Sequence, residues 1–130
     1  MASREEGAFR VIIAGTRTFS DYELLERHVR HMLSRKRKEE VEIVSGGAAG
    51  ADRLGERFAR ENGYRLRVFP ADWERSGRRA GILRNQQMVD YADALIAFHD
   101  GQSRGTAHVI AAAREAGLLV SVKVYPASWR

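Results

Sequence analysis

The chain has 130 residues, 44% hydrophobic and 30% charged, which is enough for one globular unit that buries most of the apolar surface its unfolded form exposes. It contains no cysteine, which excludes disulfides, thiolate metal sites and a cysteine nucleophile. A formal charge of +5 suits an anionic partner, either a small phosphate-bearing ligand or a nucleic acid.

Residues 1–9 are polar and aperiodic and read as a flexible leader, with a single domain over residues 10–130. The first ten residues hold no apolar signal-peptide core, and no apolar run approaches ~18 residues, so the expectation is a cytoplasmic protein without membrane contact. Arg10 to Ala14, RVIIA, is a continuous apolar run of the kind found in a strand covered on both faces, and it ends at Gly15, Thr16 and Arg17. Ser20 or Asp21 then caps a helix in which Tyr22, Leu25, Val29, Met32 and Leu33 share one face. The basic run at residues 34–40, SRKRKEE, reads as a solvated helix end followed by a loop, with a nucleic-acid patch as the competing reading.

Val41 to Val44 forms a second strand, followed by Ser45 to Gly55, SGGAAGADRLG. Gly46, Gly47 and Gly50 let backbone N–H groups turn toward one point, and the helix that starts near Ala51 aims its positive end there, an anion cradle by geometry. Leu66 to Phe69 is a third strand, and the arginine-rich stretch ADWERSGRRAG after Pro70 reads as an irregular binding loop or lid. A helix from Ala80 to Tyr91, a fourth strand in ADALIAF, a helix from Gly105 to Ala116 and a fifth strand in LLVSVKVY complete the chain, with PASWR leaving the sheet at Pro126. Between the fourth strand and its helix, HDGQSRGT from His99 to Thr106 repeats the glycine-containing corner.

Strands alternating with helices, each strand a near-continuous apolar run, predict a doubly wound α/β domain with a mostly parallel five-stranded sheet and helices on both faces. Ligands of such sheets bind beyond the carboxyl ends of the strands, where neighbouring connections diverge to opposite faces. With the first and fourth strands adjacent, the three corners fall at one crevice.

Individual residues in those corners keep two readings. Asp52 either favours the helix dipole and caps an N–H or accepts from ribose hydroxyls. Asp100 is either a turn former or a carboxylate for ribose or a catalytic water. Arg17 either forks onto a phosphate or is a surface charge, and Ser103 and Thr106 offer hydroxyls and amides to a phosphate, Thr106 being also a helix-cap candidate. Asn85 bonds either the ligand or the backbone of the neighbouring turn. Arg75, Arg78 and Arg79 are lid or surface charges, Met88 core, Trp73 a loop anchor, and Trp129 a terminal or subunit contact. His28 and His31 read as solvated helix histidines rather than metal ligands, and His99 and His108 flank the second cradle.

The combination GTR, SGGAAGAD, FPADW, RAGILRNQQM and ADALIAFHDGQSRGT resembles the SLOG superfamily, the Rossmann-like group named for the Smf/DprA and LOG proteins, and within it the small YspA and YpsA-related branch. The resemblance spans roughly Arg10 to Val124. It implies binding of a nucleotide or nucleotide-derived ligand such as NAD, ADP-ribose or a nucleoside monophosphate, with no cofactor required, and a homodimer, since relatives often pair. Gly15, Thr16, Arg17, Ser45, Gly46, Gly47, Gly50, Asp52, Arg84, Asn85, Gly101, Ser103, Gly105 and Thr106 are the ligand-binding set that this comparison and the corners select together. Gly101, Ser103, Gly105 and Thr106 stand where LOG enzymes carry their PGGxGT phosphate turn, and Arg84 matches the catalytic arginine of those enzymes. Three residues after Thr106, where LOG enzymes place a catalytic glutamate, this chain has Val109, which can neither stabilise an oxocarbenium ion nor activate water. Three functions therefore stay open: a ligand-sensing or carrier module; a nucleosidase-like hydrolase in which Arg84 and Asp100 or Asp52 are catalytic; and single-stranded nucleic-acid binding, as in the DprA branch.

Overall fold

A computed structural model describes residues 8–125. The elements in chain order are β1 (Phe9–Gly15), α1 (Tyr22–Met32), β2 (Val41–Ser45), α2 (Ala51–Asn62), β3 (Arg65–Val68), α3 (Trp73–Ser76), α4 (Ala80–Tyr91), β4 (Ala94–His99), α5 (Arg104–Glu115) and β5 (Leu119–Val124), with 3-10 turns at Lys38–Glu40 and Gly77–Arg79. The strands form one sheet in the order β3-β2-β1-β4-β5, and every neighbouring pair is parallel. The expected mostly parallel sheet is thus entirely parallel among the described residues.

Successive side chains on a strand point to opposite faces, and the core divides accordingly. Val11, Ile13, Ile43 and Ile96 pack with Leu25 and Val29 of α1 and Phe58 of α2 on one face. Ile12, Val44, Leu95 and Ala97 pack with Met88 and Val89 of α4 and Val109 and Ile110 of α5 on the other. The central strands β1, β2 and β4 are therefore apolar throughout, while the edge strands β3 and β5 are exposed at alternate or most positions. The connections after β1 and β2 run to one face and those after β3 and β4 to the other, so the chain reverses its winding between β1 and β4. A crevice at the carboxyl ends follows from that reversal.

Three expectations are corrected. Phe9 belongs to β1, paired with Val41, rather than to the leader. The stretch after Pro70 is not irregular: the Asp72 side chain accepts from the Arg75 N–H at 3.1 Å and starts the single turn of α3. The cap of α5 is Ser103, which accepts from the Thr106 N–H, so Thr106 lies inside the helix instead of capping it. The leader up to residue 7, the departure at Pro126, and Trp129 lie outside the described residues.

At α1, Asp21 rather than Ser20 is the cap, accepting from the Leu24 N–H at 3.1 Å. Asp21→Ala removes the acceptor for that orphan donor and is expected to lower the unfolding free energy by about 1 kcal/mol, read by urea denaturation. An unchanged midpoint would show that water replaces the cap without cost.

Candidate functional site

The corner after β1 ties the other two to itself. The Thr16 amide donates to the Phe98 carbonyl at 3.0 Å, and the Thr16 carbonyl accepts from Phe19 at 3.1 Å and from Ala51, the first residue of α2, at 3.4 Å. Its buried hydroxyl accepts from the Asp100 amide at 3.2 Å. One residue thus fixes the start of α2 and the end of β4 relative to β1, and Gly15, Thr16 and Arg17 all border a cleft of about 890 Å³. Arg17 is exposed there.

The corner after β2 is occupied from within. Asp52, only 4% exposed in the first turn of α2, turns its carboxylate back into the glycine turn. It accepts from the Ala48 N–H at 3.3 Å and is bonded by the Gly46 amide as well. The Gly47 N–H donates to the Ser45 hydroxyl at 3.1 Å, and that hydroxyl donates to the buried Glu56 carboxylate at 2.7 Å. The Gly46, Gly47 and Ala48 amides at this turn are therefore engaged by the protein's own side chains. Of the two readings of Asp52, the N–H cap is the contact present.

Arg84 enters from α4 on the opposite face. Its Nη1 donates to the Gly46 carbonyl, and its Nε donates to Asn85 Oδ1 at 2.9 Å. A Cβ at Gly46 would stand 2.5 Å from Arg84 Nη1 and 2.8 Å from Asp52 Oδ2, so glycine is what lets the guanidinium and the carboxylate approach each other. Burial pushes the Asp52 carboxyl up to about 6, against the Ala48 amide, Arg84 and the Gly46 amide, all of which favour its charged form, while Glu56 adds to the rise. Burial pushes Arg84 below its ordinary value; Asp52 opposes this, and the nearby positive charge of Arg17 adds to it. Arg17, Arg78, Arg84 and Arg104 thus line one cleft, with the Asp52 carboxylate close to Arg84.

The third corner carries a capped helix start. Asp100 Oδ1 accepts from the Gln102 and Ser103 amides, each at 2.9 Å, which is the turn-forming reading of this residue. The Ser103 and Thr106 hydroxyls bond each other at 2.9 Å. Arg104 and Gly105 open α5, where amides have no intrahelical acceptor and the helix dipole is positive. Asn85 links α4 to this corner: with its amide nitrogen as donor it bonds the Gly105 carbonyl at 3.4 Å and His108 Nδ1 at 3.2 Å. Asn85 therefore makes the backbone contact of its two readings.

Gly15, Thr16, Arg17, Gly46, Gly47, Asp52, Arg84, Asn85, Asp100, Ser103, Gly105 and Thr106 all border the cleft. Ser45, Gly50 and Gly101 do not; Ser45 and Gly50 support the turn from beneath or behind. Arg78 borders the cleft and Arg75 and Arg79 do not, and Met88 and Val109 border it as buried residues continuous with the core. Val109, 2% exposed, presents an apolar wall where a carboxylate would be needed. The sequence reading missed Ala48, Pro70, Ala71, Ile82 and Gln102 on the cleft, and took Trp73 for an anchor although it is half exposed there. Ile82 carried no signal, since three residues before Asn85 and seven before Val89 it falls on the stripe that α4 buries.

The basic run at 34–40 lies in the connection entering β2 at its amino end, so the parallel sheet separates it from the cleft at the carboxyl ends. Lys36 stands over the Phe9 ring and Lys38 over the Tyr64 ring. Edge-on packing of His28 against Phe98 places that histidine on the α1 side of the sheet. Among the described residues no helix is long and apolar enough to cross a membrane.

Comparison with known proteins agrees with this architecture. The chain is 38% identical over 117 residues to the Gene 61 protein of Mycobacterium phage D29, covering 85% of this chain and 93% of that protein. In fold it is similar to the X-ray structure of DNA processing protein A (DprA) from Streptococcus pneumoniae, with a TM-score of 0.69 over 88% of this chain at 17% identity. It spans only 50% of that chain's length. Residues 9–76, which run from β1 through α3 and include two of the three corners, match the family described as YspA, cpYpsA-related SLOG. With half of its length matched to that family, and its sheet shared with a DprA structure, the chain belongs to the YspA, cpYpsA-related SLOG family.

Proposed function

We propose that the cleft binds a nucleotide or nucleotide-derived small molecule, with its phosphate against the amides that open α5 and its negative charge shared by Arg17 and Arg84. The observation that carries this reading is convergence: three separate strand-to-helix corners border one cleft, and four arginines, Arg17, Arg78, Arg84 and Arg104, line it with two aspartates. A volume of about 890 Å³ falls in the range of ligand pockets, roughly 300 to 1,000 Å³. Because Asp52 engages amides of the Gly46 turn, while Asp100 and Ser103 engage the Ser103 and Thr106 amides, the phosphate seat is assigned to the Arg104 and Gly105 amides at the start of α5, with its helix dipole. The setting that suits such a ligand is the cytoplasm. Nucleic-acid binding is the weaker reading, because the basic run lies at the far end of the sheet from the cleft.

Thermal unfolding with NAD, ADP-ribose and nucleoside monophosphates tests the proposal. A ligand at a hundredfold excess over its dissociation constant stabilises the folded state by ~2.7 kcal/mol, which gives a clear rise in midpoint. If none of these compounds raises the midpoint, the reading fails. Arg84→Ala is expected to remove the ligand-induced rise while leaving a folded protein, since Asp52 can take up a proton when its neighbouring cation is lost. A full response in that variant would take Arg84 out of the site. Chromatography of the incubated ligand separates a sensor from a hydrolase: free base in the mixture identifies turnover and makes Asp52 and Asp100, the two aspartates on the cleft, the first residues to substitute.

A further inference from the structure

The cleft has two chemically different walls. On one side stand Arg17, Ser103 and the opening amides of α5. On the other, Pro70, Ala71, Trp73 and Ile82 form an apolar rim, with Arg78 the charged residue beside them. Trp73 and Ile82 are 51% and 52% exposed, so two large apolar side chains stay in water at the edge of a concave site. Trp73 is nevertheless well positioned. Asp72 caps the turn that carries it, and the Ser76 amide closes that turn onto the Asp72 carbonyl at 2.9 Å. The far edge of the indole lies against α4, 3.5 Å from the point where a Cβ on Gly81 would stand, and Arg84 Nη2 lies 3.9 Å from the same point. A single glycine thus brings the aromatic rim and the cationic group of the site side by side.

A bare phosphate or a sugar phosphate satisfies only the first wall. A planar heterocycle attached to that phosphate satisfies both. We propose that Trp73, flanked by Ile82, is the base-stacking platform of this cleft, so that the ligand is a nucleotide recognised through its base as well as its phosphate. The assignment rests on the nucleotide-binding reading above and adds the residue that recognises the base. Stacking on an indole accepts any base, because each has a π-face, so the platform selects for a base without choosing among bases.

Titration calorimetry of the wild-type chain and of Trp73→Ala with ribose 5-phosphate and with AMP, GMP, CMP and UMP tests this. Trp73 is exposed and its replacement leaves the core untouched, which far-UV circular dichroism verifies. The wild-type protein is expected to bind the preferred nucleotide at least 10-fold more tightly than ribose 5-phosphate. Trp73→Ala is expected to weaken nucleotide binding by roughly 10-fold to 100-fold and ribose 5-phosphate binding by less than about 2-fold, and Trp73→Phe to recover most of the loss. Equal losses for both probes, no loss for either, or ribose 5-phosphate bound as tightly as the nucleotides would overturn the stacking assignment while leaving the anion site standing. Binding of none of the probes by the wild-type chain would remove both.

Discussion

Gly50→Ala, behind the glycine turn, is expected to lower the thermal unfolding midpoint by roughly 10 °C or more. Gly50 adopts φ 80° and ψ −129° as the residue preceding α2, a conformation that residues with a Cβ rarely enter. The added Cβ would stand 2.2 Å from the Thr16 carbonyl oxygen and 2.5 Å from the Arg17 carbonyl carbon. These are backbone atoms of another corner, so no side-chain rotation relieves the overlap. The Thr16 carbonyl is also the acceptor for Phe19 and Ala51, so moving it disturbs the joint between the first two corners. Strain and overpacking together cost roughly 3 kcal/mol or more. Gly105→Ala is the control: nothing stands within 4 Å of its would-be Cβ and it lies inside α5, so alanine there should leave stability unchanged or raise it by up to ~1 kcal/mol. Similar midpoints for the two variants would contradict the close approach of the corners.

The second large effect is a pH dependence centred on Asp52. Its carboxyl rises from an ordinary 3.8 to about 6, first because it is buried. The folded state therefore holds this proton more tightly than the unfolded chain does. Its stabilising contribution is complete below pH 3.8 and is lost as pH rises through about 6. The difference converts to about 3 kcal/mol, so at pH 7 the ionised carboxylate costs the fold that amount relative to its protonated form. Asp52→Asn keeps an acceptor for the Ala48 amide and removes the ionisation. The unfolding free energy of the variant minus that of the wild type is expected to increase by about 2 kcal/mol between pH 4 and pH 7, measured by urea denaturation at each pH. Comparing the variant with the wild type cancels the titration of the exposed carboxylates. A difference that stays flat across this range would show that Asp52 titrates at an ordinary value and is not buried as described.

Much of this architecture was legible in the residues themselves. The apolar runs of β1, β2 and β4 announce a sheet covered on both faces, and the alternation with helices allows few topologies. The Thr16 corner was legible because strand ends and glycine turns are local features, whereas Arg84 stood out only through the resemblance to LOG enzymes. The place of Trp73 and Ile82 on the cleft was not legible, because an apolar residue beside a helix start reads as packing unless its neighbours in space are known. The start of α5 was misplaced because Ser103 and Thr106 have the same capping chemistry.

By itself the sequence determined the order of elements, a mostly parallel sheet and the edge of the sheet at which chemistry must lie, since these follow from periodicity and the handedness of L-amino acids, whereas the adjacency of β1 and β4 that opens the crevice is a matter of tertiary structure. Only the tertiary structure decided which donors remain for a ligand. Asp52 lies four positions from Ala48 and Arg84 lies 38 from Gly46, yet the carboxylate of one accepts from an amide of the glycine turn and the guanidinium of the other donates to a carbonyl of it. Hydrogen-bond saturation depends on which groups the fold brings within about 3 Å, and no local pattern encodes that distance.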